Sequence, residues 1–266
     1  YERRKMTFAT GVKSKMWEYK YKAEDPNFPE IPKITPGESQ PDSERVSSFV
    51  YPGGILAVHS KGRGKDAIWS ALKNKNVYGT SGPRILLWFD LINSSQGKLP
   101  MGSEITMSQN PKFIVRAAGS FKQNAGCSTE SIDSLSPDRL DYLCAGECYN
   151  PSNERRNIEK IEIIKITPQI YAGESVTPLI QDPWMTIPCN GQAECIAEFD
   201  DQNYTRDSIY YVRAIQEPTL AINGSILKDR IEFNLCKGSF RTDLKDDCLS
   251  MTNERAWSSP IYVNKP

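Results

Sequence analysis

The stretch "SIYYVRAIQ" (Ser208 to Gln216) decides how this chain is read. Tyr210, Val212 and Ala214 alternate with Ile209, Tyr211, Arg213 and Ile215. A period of two puts successive side chains on opposite faces of an extended strand. The same signature recurs outward in both directions. "KFIVRAA" places Phe113, Val115 and Ala117 on one face, and "ECIAEF" does so for Cys195, Ala197 and Phe199. "ILLWFDLI" (Ile85 to Ile92) reads as a strand, and "SSPIYV" as the closing one. "IEKIEIIKITPQI" sets Ile161 and Ile163 against Ile164 and Ile166, so either both faces of that strand are covered or a bulge resets its register. About six strands with irregular loops and little helix predict an antiparallel β-sandwich. The pair "YYVRAIQ" and "WSSPIYV" resembles the last two strands of immunoglobulin-like or fibronectin-type-III sandwiches, a fold analogy that carries no function.

The N-terminal part has a different character. Residues 1–50 are charged and proline-rich, without a sustained apolar period, and read as a long loop with a short helix near its start. "GGILAV" (Gly53 to Val58) follows as a buried strand. In "KGRGKDAIWSALKNKN", Ala67, Ile68, Ala71 and Leu72 fall at helical spacing, with Ser60 or Asp66 as cap. "VYGTSGPR" adds a brief strand and a turn. Strand, helix and strand within so short a span predict a β-α-β unit of parallel strands. The fold class expected is therefore mainly β with a minor α/β part. The boundary is set at residues 83 and 84: an α/β piece over 1–83, and the sandwich over 84–266.

Bulk composition excludes several functions. Thirty-three basic residues balance thirty-three acidic ones, so no global field attracts nucleic acid. No apolar run approaches the length of a membrane span. The chain begins at Tyr1 without a signal-peptide pattern, and Tyr1 is read as an interior point of a longer chain.

Seven cysteines all lie after residue 126. "PCNGQAEC" and "CKGSFRTDLKDDC" can each close on themselves, pairing Cys189 with Cys195 and Cys236 with Cys248. Zinc is the rival reading, but its sites favour Cys-x2-Cys pairs, and the gaps here are three, five and eleven residues. The two local pairs leave Cys127, Cys144 and Cys148, with one cysteine over. Disulfides imply a periplasmic or secreted protein.

His59 is the sole histidine. At the carboxyl end of a parallel strand it would lie where ligands of α/β folds gather, with Ser60, Lys61 and Arg63 offering positive charge and donors to an anion. The competing reading is a hydrogen-bonded structural histidine beside a solvated basic turn. Arg84, after the turn "TSGPR", can clamp an anion in bidentate fashion. A P-loop is excluded, because His59 and Asp66 stand where that motif needs glycine and Ser or Thr. "EFDDQNYTRD", with Glu198, Asp200, Asp201 and Asp207, fits a calcium loop poorly and reads as a solvated loop, and Asn93, Asn203 and Asn223 head glycosylation sequons. One histidine defines no Ser-His-Asp set.

The run "GGILAVHSKGRGKDAIWSALKNKNVYGTSGPRILLWFDLIN" resembles the bacterial domain-of-unknown-function family numbered 3604, and "IEKIEIIKITPQ", "DPW", "YYVRAIQEPTLAIN", "DDCL" and "ERAWSSPIYV" follow in order. That family is similar to the polymerase-and-histidinol-phosphatase metallohydrolases. The resemblance implies an exported hydrolase with divalent metals held in a distorted α/β barrel, acting on a small phosphoester. Its metal motifs are expected upstream of "YERRKMTFATG", so this chain is expected to be the end of the barrel followed by the sandwich, and inactive alone. It would hold no cofactor itself and would partner the upstream half of its own barrel. His59 would then sit on a late barrel strand near the metal centre, with Arg63 and Arg84 facing the phosphate. The alternative is a non-catalytic sandwich module that binds a partner protein or glycan, through an apolar patch or a groove lined by Trp184 or Trp257.

Overall fold

The computed structural model describes residues 54–144, 148–222 and 249–266. The loop expected over 1–50 and the pair Cys236 and Cys248 lie outside these residues. Two compact units divide the chain. One, Tyr1–Gly53 with Leu220–Thr252, lies almost wholly outside the described residues. The other, Gly54–Thr219 with Asn253–Pro266, holds the architecture below.

The protein is mainly β. Its first sheet has eight strands. β9 (Ile158–Ile166), β10 (Ile180–Gln192) and β12 (Ser208–Ile222) form one side, with β9 between the other two. β12 also pairs with β14 (Ile261–Asn264), which takes β5 (Glu104–Thr106) in parallel. Beyond β12 lie β13 (Leu249–Ser258), β2 (Val77–Thr80) and, at the edge, β1 (Ile55–Val58). The second sheet has four strands in the order β11 (Glu194–Asp200), β6 (Lys112–Ala118), β3 (Leu86–Ser94) and β4 (Gly97–Pro100). β7 (Phe121–Ala125) and β8 (Tyr149–Arg155) make a separate two-stranded ribbon.

Both large sheets contribute to one hydrophobic core. Tyr210, Val212 and Ala214 of β12 are wholly buried, as are Phe113, Val115 and Ala117 of β6, so the alternation in the sequence marks the inward faces. Phe89, Phe113 and Phe199 stack at centroid separations of 5.2–6.2 Å. Burying aromatic rings of this size removes more apolar surface from water than any other residue class and dominates the core energetics. Of the two possibilities for β9, covered faces account for Ile161 to Ile164, where the register against β12 is unbroken. Ile161 and Ile163 face the core, Ile164 and Glu162 on the opposite face are buried as well, and the register shift falls at Glu159, between Ile215 and Gln216 of β12.

Several expectations for this segment are overturned, beginning with β1, which is not buried: Ile55 and Leu56 are exposed. β1 and β2 are hydrogen-bonded neighbours, but antiparallel: Ile55 pairs with Thr80 and Val58 with Val77. The helix between them, α1 (Lys65–Lys73), therefore reverses the chain instead of carrying it over to a parallel strand. Local periodicity specifies the elements, while strand direction depends on which edge each strand finds. β2 pairs its other edge with β13, joining Ala256 to Thr80, and so belongs to the same sheet as the C-terminal strands. α1 also lacks a side-chain cap: Gly64 is its N-cap, Ser60 bonds instead to the Gly62 carbonyl, and Asp66 lies in the first turn. Only Ala71 of its apolar face is buried, leaving Ile68, Trp69 and Leu72 exposed.

Candidate functional site

His59 directly follows β1. Its backbone N–H donates to the Asn76 carbonyl at 2.9 Å, and its Nε2 lies 2.8 Å from the Leu87 carbonyl oxygen. A carbonyl oxygen only accepts, so Nε2 donates to it, and Nδ1 is left outside this bond. The ring sits between Tyr78 (5.2 Å) and Trp88 (5.8 Å). Burial pushes the Tyr78 hydroxyl above the usual tyrosine range, partly offset by a backbone hydrogen bond at Leu87. His59 thus fastens the first sheet to β3 of the second. Arg63 and Arg84 are exposed, one in the turn before α1 and the other just before β3. Among the described residues no hydrogen bond or ion pair joins His59, Arg63 and Arg84.

Two charged clusters were not anticipated from the sequence. In the first, Asp201 is 1% exposed, which overturns the solvated loop expected of "EFDDQNYTRD" at this residue. It receives the Lys165 ammonium, the Tyr210 hydroxyl (2.5 Å) and the Asn203 backbone N–H (3.0 Å). A buried carboxylate is tolerated only with such partners. Burial raises the Tyr210 hydroxyl far above its ordinary value, and its hydrogen bond to Asp201 adds to the shift. Neighbouring Tyr204 has a buried hydroxyl with no partner among the described residues. Burial, then Asp207 and Asp201, push it up to about 12. These contacts tie the ends of β9, β11 and β12 together. Trp184 packs beside it, 6.1 Å from Tyr210 and 6.3 Å from Phe199, with Lys165 over its ring.

In the second cluster, Glu162 on β9 faces Arg213, its cross-strand neighbour on β12. Lys160 (2.8 Å) and Arg213 (2.7 Å) both reach it, and Arg213 continues to Asp182 at 2.6 Å. Burial by itself would raise the Glu162 carboxyl. The hydrogen bonds from Lys160 and Arg213 outweigh it and hold the group below the usual range. "KIE" (Lys160 to Glu162) carries two of these charges at alternate positions, but only the register shows that they meet Arg213.

The cysteines form two further features. Cys189 of β10 is bonded to Cys195 of β11, so one of the two local pairs exists and it links the two sheets. Near its start the reversal carries Asn190 and Gly191 at φ of 53° and 68°, the left-handed region that Asn and Gly adopt most readily. The other feature is a group of three. Cys144 is bonded to Cys148, and Cys127 lies with its Sγ 2.8 Å from that of Cys144. Among the described residues this is the one set of ligand-type side chains close enough together to hold a metal ion. Thiolates suit soft metals, and two of these sulfurs are consumed in a disulfide, so the set does not fit the oxygen- and histidine-lined centre of a divalent-metal hydrolase.

Comparison with known proteins gives one match.

Residues 10–125 match the family model described as "Protein of unknown function (DUF3604)".

That stretch takes in β1, α1, β2, His59, Arg63 and Arg84, and supports the family resemblance. No curated protein and no solved structure matches the chain.

Proposed function

We propose that this chain is the non-catalytic, sandwich-bearing part of an exported metal-dependent hydrolase acting on phosphoesters, whose divalent metal is held by polypeptide outside the chain. The observation that carries this reading is the exposed apolar surface of β1 and α1. β1 is the edge strand of its sheet among the described residues, with Ile55 and Leu56 exposed on its two faces, and Ile68, Trp69 and Leu72 are exposed on α1, Leu56 and Trp69 by more than half. An apolar edge of this kind is a template for further strands or a partner surface. Here it would take the catalytic barrel, and this arrangement would carry an immunoglobulin/fibronectin-III-like sandwich beside the barrel. In this reading His59, Arg63 and Arg84 would face the phosphoester. The disulfide between the two sheets supports a periplasmic or secreted location.

The test compares two proteins with p-nitrophenyl phosphate and its bis-ester, in manganese, zinc or magnesium. The chain alone is expected to be inactive. The parent enzyme containing it is expected to turn over, and the Arg63→Ala and Arg84→Ala variants of that enzyme to lose at least tenfold, as removal of an anion-binding donor typically costs. Metal-dependent turnover by the chain alone, or a parent that binds no metal, refutes the reading. The exposed face favours one rival, a non-catalytic module that docks a partner protein or glycan there. An inactive parent that nonetheless loses its partner on Trp69→Asp substitution would establish that rival.

A further inference from the structure

β7 and β8, with the helices α2 (Thr129–Ser134) and α3 (Pro137–Cys144) between them, form an arm inserted between β6 and β9. All of β7 is exposed, and neither helix has a buried residue. The arm therefore has no apolar core to hold it. Its base is pinned where the Arg156 N–H donates to the Ser120 carbonyl at 2.8 Å and the Arg155 Nη1 to the Gly119 carbonyl at 2.6 Å. The backbones meet so closely there that a Cβ on Gly119 would lie 1.9 Å from the Arg156 oxygen. Its far part is held by three cysteines, one from each piece: Cys127 after β7, Cys144 at the end of α3 and Cys148 before β8. The Gly126 N–H donates to the Cys148 carbonyl at 2.8 Å, which keeps the two strand ends side by side.

From this placement we infer that Cys127, Cys144 and Cys148 are a thiol–disulfide exchange site in which Cys144 is shared between two partners. The Cys127 thiol loses its proton to water, and the thiolate attacks the Cys144 Sγ. A Cys127–Cys144 bond forms as the Cys144–Cys148 bond breaks. Cys148 leaves as a thiolate and takes up a proton, so there is no net oxidation. Exchange of this kind needs a thiolate within reach of the disulfide sulfur, and the 2.8 Å approach of Cys127 to Cys144 supplies it. The two states differ mechanically. The Cys144–Cys148 bond spans a sequence separation of 4 and fastens α3 to β8. The Cys127–Cys144 bond spans 17 residues and encloses both helices. This inference does not depend on the hydrolase reading.

Disulfide mapping of the full chain tests it: acid quenching, alkylation with N-ethylmaleimide, digestion and mass spectrometry, at pH 7 and 8.5. The wild type is expected to yield both linkages, interconverting faster at the higher pH. Cys148→Ser is expected to convert most molecules to Cys127–Cys144, and Cys127→Ser to leave Cys144–Cys148 alone. Retention of the Cys189–Cys195 bond and of the far-UV spectrum shows that each variant is folded. A Cys148→Ser protein that keeps Cys127 and Cys144 as separate thiols under glutathione oxidation overturns the inference. So does a wild type in which Cys127 is bonded elsewhere, or in which all three thiols are reduced around a metal ion.

Discussion

Removing the bond between the sheets, with Cys189→Ala and Cys195→Ala together, is the most direct probe of this architecture. The linked residues are separated by 6 in sequence. Closing so short a loop restricts the unfolded chain by about 2.3 kcal/mol in the chain-entropy account. Both sulfurs also belong to the core, with Cys189 and Cys195 only 4% and 7% exposed, and Cys195 lies opposite Ala117 of β6. Deleting two buried atoms of about methylene size adds roughly 1–2 kcal/mol. The expected loss is therefore about 3–4 kcal/mol, a large fraction of the roughly 5–15 kcal/mol that holds a domain folded. For a domain of this size that corresponds to a fall of about 7–14 °C in Tm. Thermal unfolding followed by circular dichroism measures it. The double variant is preferable to a reducing agent, which would also open Cys144–Cys148. A shift under about 3 °C, or peptide mapping that finds Cys189 and Cys195 as separate thiols, would refute the reasoning.

Other perturbations act through the polar clusters and the tight backbone contact. Asp201→Ala leaves the buried Lys165 ammonium and Tyr210 hydroxyl without their acceptor, and is expected to cost about 3–5 kcal/mol in urea unfolding. Glu162 has a lowered folded-state pKa, so its contribution is complete above the ordinary carboxylate pKa and disappears as pH falls through the depressed one. Glu162→Gln is expected to flatten the acid limb of a stability-versus-pH curve while losing stability near neutrality, and an unchanged acid limb would count against the cluster. Gly119→Ala forces apart a backbone contact with Arg156, and is expected to destabilise the arm's base strongly, read as faster amide exchange across β7 and β8; wild-type exchange rates would show the contact to be looser. Trp69→Lys on the exposed face of α1 is expected to change the stability of the chain by less than about 0.5 kcal/mol, and a large loss in urea unfolding would mean that this face is covered.

Much of the fold follows from local pattern. The alternation in β6, β11 and β12 names the buried faces residue by residue, because a period of two leaves a strand no other way to hide its apolar side chains. The Cys189–Cys195 bond was equally readable, since a separation of 6 with Asn-Gly between lets the chain turn back on itself. Pairing direction was not readable. β1, α1 and β2 have the periodicity of a crossover unit, yet the strands run antiparallel and one of them adopts β13, far away in sequence, as its other neighbour. Which edge a strand meets is settled by the whole sheet, and no property of the segment itself encodes it.

The candidate sites divide along the same line. Sequence singled out His59, Arg63 and Arg84 as candidate site groups, and left Cys127, Cys144 and Cys148 as three cysteines with one over, because residue types alone carry that information. Only the tertiary structure committed His59 Nε2 to the Leu87 carbonyl, gathered Cys127, Cys144 and Cys148 at one point, and brought Lys165 of β9, Tyr210 of β12 and Asp201 just after β11 into one cluster. Side-chain chemistry is a property of each residue, whereas proximity between strands distant in sequence is a property of the packed sheets, and function depends on both.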